Sequence, residues 1–221
     1  MTGEGIHRVS AVERQKHNPG RVSVFLDGEF AFGIDEEALF RHPIHEGDEL
    51  TDAFIDGVLL AYERSRAKSS ALRWLSRRGM ATGELGRKLR DRGFSDRTVL
   101  RIIADLARVG LLNDTEYAAS YVSSRMLQRP CSRRLLVQEL TRKGIRQEDA
   151  EAAAGQAYGP EGEQKTAESL LRKKMAQLKG EDPRKARNKC AAFLVRRGFD
   201  WDVIRGALDA AGRMNEEDAE V

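Results

Sequence analysis

One short phrase occurs three times in the chain and places positive charge just before a glycine. It reads KLRDRGF at residues 88–94, ELTRKGI at 139–145 and FLVRRGF at 193–199, and the three glycines lie 51 and 54 residues apart. Lys and Arg side chains at the end of a helix interact favourably with its dipole, and clusters of them bind phosphate groups or acidic protein surfaces. The phrase therefore predicts repeated helical units that carry a polyanion-binding surface.

The predicted contact surface extends beyond these phrases. The helix dipole accounts for one cation per unit, at Arg92, Lys143 or Arg197, but not for the basic residues at the starts of the same helices. Tyr121 either packs in a core with its hydroxyl group at the surface or stacks on a nucleic-acid base. The predicted polyanion-contacting residues are Arg77, Arg78, Arg87, Lys88, Arg92, Tyr121, Arg125, Arg129, Arg133, Arg134, Arg142, Lys143, Lys173, Lys174, Lys189, Arg196 and Arg197.

Charge is distributed unevenly along the 221 residues, whose formal net charge is +3. Residues 1–62 contain five Lys and Arg against twelve Asp and Glu, whereas residues 63–213 contain 33 against 19. The last eight residues contain four acidic residues and no basic residue. A basic body between acidic ends is typical of a polyanion-binding region whose ends moderate that binding, although solvated helix faces would give a similar count.

The sequence contains no pattern typical of catalysis or metal binding. TGELGRKL at 82–89 lacks the P-loop pattern, and HPIH at 42–45 offers two histidines around a proline with no third ligand. Cys131 and Cys190 lack metal-ligand spacing and are expected to be reduced. No run approaches the about 18 apolar residues of a membrane span. The N-terminal residues lack the apolar core of a signal peptide, so no export is expected. We therefore predict a cytoplasmic non-enzyme without a cofactor, a metal or a membrane contact.

The N-terminal part of the chain reads as a small sheet. Residues 21–34 alternate apolar and polar side chains on both sides of Asp27-Gly28, a dipeptide that favours a two-residue hairpin turn. Such a turn would place Phe25 opposite Phe30. Residues 8–14 could supply a third strand, and residues 35–42 predict a short helix.

Beyond Thr51 the apolar spacing is helical almost to the end. Two separate helices are expected at residues 53–66 and 71–79. Three-helix units follow at 70–109, 114–157 and 163–211, and each ends its second helix with the repeated phrase. In that phrase the Leu faces the core and the Gly takes the left-handed position after the helix. Helix N-caps are predicted at Thr82, Ser95, Asn113, Ser132 and Asp182.

These patterns predict a mostly α-helical protein. Its core architecture is a tandem, elongated or curved array of three three-helix repeats, similar to winged-helix modules without the wing, preceded by a small β-hairpin and helix extension. The predicted division is an extension at 1–62, repeats at 63–111, 112–158 and 159–212, and a disordered acidic tail at 213–221.

The stretch GLLNDTEYAASYVSSRMLQRPCSRRLLVQELTRKGI, at 110–145, resembles the RecX family of bacterial recombinase regulators, together with ELGRKLRDRGF before it. The head, VSVFLDGEFAFGIDEEAL with EGDELT, is similar to an N-terminal extension in some members. The resemblance covers about residues 20–211 and is strongest in the middle repeat. The Cys of RPCSRR and the acidic tail depart from the family pattern as we know it.

The resemblance implies a repeat array that lies in the groove of the RecA filament on single-stranded DNA. Family members generally suppress ATP hydrolysis, strand exchange and the stimulation of LexA self-cleavage. A monomer that also binds single-stranded DNA weakly is expected, and it could block filament growth, cap filament ends or promote disassembly. The alternative is a helix-turn-helix-like DNA-binding or transcription-regulating protein, although the second helices are rich in Lys and Arg rather than in base-reading Asn and Gln.

Overall fold

The computed structural model describes residues 5–158 and 162–217, and this part of the chain is mostly α-helical, as predicted. The elements in chain order are β1 Ile6–Gln15, β2 Asn18–Leu26, β3 Glu29–Asp35, α1 Glu36–Arg41, β4 Glu49–Thr51, α2 Asp52–Leu75, α3 Thr82–Asp91, α4 Asp96–Arg108, α5 Asp114–Gln128, α6 Arg133–Lys143, α7 Gln147–Gln156, α8 Gly162–Ala176, α9 Pro183–Arg196 and α10 Trp201–Glu217. Two compact units result. The first contains the residues up to Arg78 and Gly86–Arg108, and the second contains Gly79–Leu85 and the residues from Val109 onward.

The N-terminal strands form an antiparallel sheet in the order β3-β2-β1-β4. The predicted hairpin is confirmed, because Asp27 and Gly28 both have positive φ, 52° and 90°, and Phe25 pairs with Phe30. The third strand is also confirmed as β1. The sequence did not reveal β4, which has only three residues and pairs with the start of β1. Side chains of this sheet pack against α2 through Val58 and Tyr62.

The region after the sheet is one helix rather than the predicted two. α2 runs for 24 residues from its cap at Thr51, whose hydroxyl oxygen accepts a hydrogen bond from the Phe54 N–H. The expected break between 66 and 71 contains no Gly or Pro, and both Ala67 and Ser70 are buried there. The uninterrupted helix also spans the predicted boundary between the N-terminal extension and the first repeat, at residues 62 and 63.

The second helix of each three-helix unit ends in the same way. Gly93, Gly144 and Gly198 have φ of 84°, 93° and 84°. In each unit the next residue donates its N–H to the carbonyl of the Leu five positions earlier, as Phe94 does to Leu89 at 3.3 Å. These hydrogen bonds define the glycine-terminated helix end that the sequence predicted. The three Leu side chains, at 89, 140 and 194, are fully buried.

Four of the five predicted N-caps are confirmed. The side chains of Ser95, Asn113, Ser132 and Asp182 each accept a hydrogen bond from an N–H three residues ahead. Thr82 is instead the first residue of α3. At the other end of the chain, α10 continues to Glu217, into the segment that was predicted to be a disordered tail. Residues 218–221 of that segment lie outside the described part of the chain.

Candidate polyanion-binding surface

The basic residue that precedes each cap glycine lies over an aromatic ring of its own repeat. Such cation–π contacts are worth about 0.5–1 kcal/mol at exposed sites. They give these cations a structural role that neither the helix dipole nor polyanion binding had suggested. The three pairs, with the distance from the cation to the ring centroid, are Arg92 over Trp74 at 5.2 Å, Lys143 over Tyr121 at 5.1 Å and Arg197 over Phe193 at 4.8 Å.

The Trp74 ring in the first repeat also contacts a second cation. Lys88 Nζ lies 4.7 Å from the ring centroid, so Lys88 and Arg92 both contact a side chain that is only 9% exposed. The aliphatic stems of the two cations can cover the ring while their charged ends reach solvent. Both residues can therefore stabilise the repeat and still present charge to a partner.

Tyr121 and Arg125 meet on a single carboxylate inside the second repeat. The Tyr121 hydroxyl donates to Glu139 Oε2 at 2.8 Å, and Arg125 donates to both Glu139 oxygens at 2.9 and 3.1 Å. The side chains of Arg125 and Glu139 are 19% and 22% exposed. Burial and the hydrogen bond to Glu139 raise the pKa of Tyr121 to about 12, and the same carboxylate raises the pKa of Arg125. This arrangement turns both predicted contact residues toward Glu139.

Arg133 and Arg134 begin α6 at a joint with the third repeat. The Arg133 N–H donates to Glu163 Oε1 at 3.1 Å, and burial raises the pKa of the Glu163 carboxyl. Arg134 contacts the Gly198 carbonyl at 3.4 Å and the Asp200 carboxylate at 3.6 Å. Both Arg side chains remain exposed, so they can contribute to the joint and to an external contact.

The joint between the end of the first repeat and the start of the second, which lies within the second compact unit, has the same arrangement of a carboxylate at a helix start. The N–H of Thr82, at the start of α3, donates to Asp114 Oδ1 at 2.7 Å. A carboxylate at the start of the following repeat therefore caps the second helix of the preceding one in both joints. Gly83 lies so close to Gly144 that a Cβ would be 2.7 Å from the Gly144 Cα, which leaves room only for glycine.

The other predicted contact residues are spread over the helices of all three repeats. Lys189 forms an ion pair with Glu181 at 2.6 Å, and Lys174 donates to Gln177 at 3.4 Å. Arg197 donates to the Pro130 carbonyl, and its pKa is lowered by burial and by the neighbouring Arg129 and Arg125 guanidinium groups. The remaining members are exposed: Arg77, Arg78, Arg87, Arg129, Arg142, Lys173 and Arg196.

The described residues contain no group of three or more His, Cys, Asp and Glu side chains arranged to hold a metal ion. Cys131 and Cys190 are both buried as free thiols, and burial raises the pKa of Cys131 to about 11. In the same residue ranges, no helix is both long and apolar enough to cross a membrane.

Comparison with known proteins accounts for almost the whole chain. Sequence models of the family match the RecX N-terminal domain at residues 7–51 and the first, second and third three-helix domains at 67–106, 113–153 and 161–208. Regulatory protein RecX of Clostridium perfringens strain 13 is 32% identical over 91% of this chain and 94% of its own length. The chain belongs to the RecX family. The corresponding protein of Bacillus licheniformis is 31% identical over 96% of this chain and 80% of its own.

Solved RecX structures have the same fold. A crystal structure of regulatory protein RecX aligns with a TM-score of 0.62 at 28% identity and covers 92% of this chain and 99% of that one. The structure of RecX from Lactobacillus salivarius aligns with a TM-score of 0.60 over 68% of this chain and 97% of that one. In this RecX chain the matched first three-helix domain begins at residue 67, inside the continuous α2.

Proposed function

We propose that this chain is a non-enzymatic regulator that binds the groove of the RecA–single-stranded DNA filament and lowers recombinase ATP hydrolysis, strand exchange and co-protease activity. The observation that carries the proposal is the ordered set of four RecX regions on one chain, whose three-helix domains bear exposed cations. Both relatives described above are named regulatory protein RecX. The proposed setting is the bacterial cytoplasm, where the chain acts as a monomer without a cofactor.

Inhibition follows from linking several weak contacts. Three repeats in series can contact successive recombinase protomers, and each contact after the first is intramolecular. A chain bound in this way opposes the movement of protomers that accompanies ATP turnover. The contact residues proposed for this role are the exposed cations, such as Arg77, Arg129 and Arg196, whereas Arg125 is held by Glu139.

Titration of recombinase ATP hydrolysis on single-stranded DNA tests this function. We expect inhibition at well below one chain per protomer, because one array spans several protomers. The double variant Arg77→Glu/Arg196→Glu should require several-fold more protein, since both side chains are exposed. The matched control is Lys16→Glu/Arg8→Glu, which makes the same charge change at exposed positions in the acidic extension and should inhibit like the parent.

The rival function is tested with duplex DNA alone. A sequence-reading regulator should bind its preferred duplex at least about 10³ times more tightly than random duplexes. If the parent chain leaves ATP hydrolysis, strand exchange and repressor cleavage unchanged at low salt and in excess, the recombinase proposal is wrong. Selection of a preferred duplex with that ratio would then support the DNA-binding regulator.

A further inference from the structure

A basic groove lies beside the joint between the second and third repeats. It is lined by the apolar side chains of Met126, Pro130 and Leu170 and by Lys165 and Lys173 of α8. The groove has a volume of about 310 Å³ and is open to solvent. We call it the α8 groove. A cavity of this size lies at the lower end of the range of about 300–1,000 Å³ for ligand pockets, so it fits a small unit such as one nucleotide rather than a helix.

Hydrogen-bond donors accompany the two lysines. The hydroxyl-bearing residues Thr166 and Ser169 also line the groove, and Ser169 lies one helical turn from both Lys165 and Lys173. Hydroxyl and ammonium groups on one helix face are donors that bind phosphate oxygens in nucleic-acid complexes. The lining therefore combines donors for a phosphate with apolar side chains that can contact a base.

Two further cations lie next to Pro130. Arg129 precedes this residue, and Arg197 donates a hydrogen bond to its carbonyl oxygen. Burial, followed by the neighbouring Arg129 and Arg125 guanidinium groups, lowers the pKa of Arg197. The Glu139 carboxylate is bound to Arg125 by two hydrogen bonds. Arg129 and Arg197 therefore add positive charge next to Pro130.

The preceding joint contains an equivalent groove with a different charge. Aligning the fully or nearly fully buried Ala118 and Val122 of α5 with Ala167 and Leu171 of α8 relates the two helices by 49 residues. By this relation Glu116 stands where the α8 groove has Lys165. The equivalent groove has a volume of about 230 Å³.

The same alignment extends along the groove. Tyr117 and Ser120 line the earlier groove at the positions of Thr166 and Ser169, and Ser124 occupies the position of Lys173. A joint of the same design therefore forms with an acidic residue and a serine in place of the two lysines. It follows that a joint of this design does not require lysine at these two positions.

We propose that the α8 groove binds one nucleotide of single-stranded DNA, with Lys165 and Lys173 on its phosphates and its base against Met126 and Leu170. This inference deepens the proposed function and rests on it for its biological setting, since it names the groove through which the chain contacts DNA. An acidic protein surface would pair with the two lysines but would not supply a nucleotide base for the apolar side chains. The bases of duplex DNA are stacked inside the helix and cannot reach them.

A variant that copies the earlier groove tests the proposal without recombinase. Lys165→Glu/Lys173→Ser introduces the residues that the equivalent joint already contains. The probe is fluorescently labelled oligo(dT), and the readout is its anisotropy between 50 and 200 mM salt. Loss of two phosphate contacts should reduce the log–log salt slope by about 1.4, so the affinity lost over this range should shrink by about sevenfold. The control Lys179→Glu/Lys185→Ser makes the same charge change outside the groove and should retain the parent slope.

Misfolding of the first variant would also reduce binding, so a reciprocal variant that is expected to gain binding is tested beside it. Glu116→Lys/Ser124→Lys places lysines at the two aligned positions of α5 and should tighten oligo(dT) binding and steepen its slope. Polyphosphate should compete more weakly than oligo(dT) at equal charge, because it has no base. Parent-like binding by the first variant, or equal competition by polyphosphate, would overturn the proposal.

Measuring how the same variants bind the recombinase filament decides whether the groove contacts DNA or protein. If Lys165→Glu/Lys173→Ser weakens filament binding but leaves oligo(dT) binding unchanged, the groove contacts protein and the nucleotide proposal is wrong. Weaker oligo(dT) binding together with a parent that does not inhibit ATP hydrolysis would retain the groove and remove the proposed recombinase function. The two proposals can therefore fail separately.

Discussion

Replacing the cap glycines by alanine separates backbone strain from contact between repeats. Gly93 and Gly198 have the same φ of 84°, so alanine meets the same left-handed strain at both positions, about 1–2 kcal/mol. A Cβ at Gly93 would meet no atom within 4 Å. A Cβ at Gly198 would lie 2.6 Å from Ser132 Oγ and 2.9 Å from Leu135 Cβ. Overpacking of this kind costs typically about 1–3 kcal/mol.

We therefore expect Gly198→Ala to lower the free energy of unfolding of its unit by about 1–3 kcal/mol more than Gly93→Ala lowers that of the other unit. Urea unfolding followed by circular dichroism measures the loss, and hydrogen exchange locates it. The Ser132 N–H donates to the Arg197 carbonyl at 2.9 Å, so its protection should fall in Gly198→Ala. Equal losses for the two variants, with Ser132 protection unchanged, would refute the steric account of this joint.

Three further outcomes follow from the structure. Arg125→Met should lower the free energy of unfolding by about 1–3 kcal/mol, because it leaves a partly buried carboxylate without its cation, and should leave the salt slope of oligo(dT) binding unchanged. Asp114→Ala should cost about 1 kcal/mol in urea unfolding through loss of the α3 cap, whereas Asp114→Asn should retain most of it. Hydrogen bonds to Asp27 and Asp52 raise the pKa of His7 above 6.5. The protonated ring therefore stabilises the folded state fully below pH 6.5, and this stabilisation is lost as the pH rises through the raised pKa. Melting temperatures at pH 5.5 and 8.5 should show the loss in the parent and not in His7→Asn.

The elements predicted well from sequence are those whose signals are local. Asp27-Gly28 defined a turn, and the Leu-to-Gly phrase defined the helix ends, because each of these structures requires a particular residue at a particular position. The continuous α2 was missed because a gap in apolar spacing resembled a break. β4 was missed because three residues carry too little pattern.

The candidate surface was less predictable because its contacts are distant in sequence. Arg92 contacts Trp74, which lies 18 residues earlier, and Lys143 contacts Tyr121, which lies 22 residues earlier. Neither pair has the i, i+3 or i, i+4 spacing by which a sequence pattern reveals a contact within one helix. Only the i, i+4 spacing of Phe193 and Arg197 carried a usable signal. The charge difference between the two grooves depends on which residues of α5 and α8 correspond, and the buried residues of the two helices define that correspondence.

The most direct test of the account is a cryo-EM map of the full chain on its own organism's recombinase filament, assembled on single-stranded DNA with a non-hydrolysable ATP analogue. We predict density for the three repeats along the filament groove, contacting successive protomers, with the exposed cations facing protein or DNA and α8 facing DNA. Density on bare DNA alone, or filaments without bound chain at saturating concentration, would contradict the central claim.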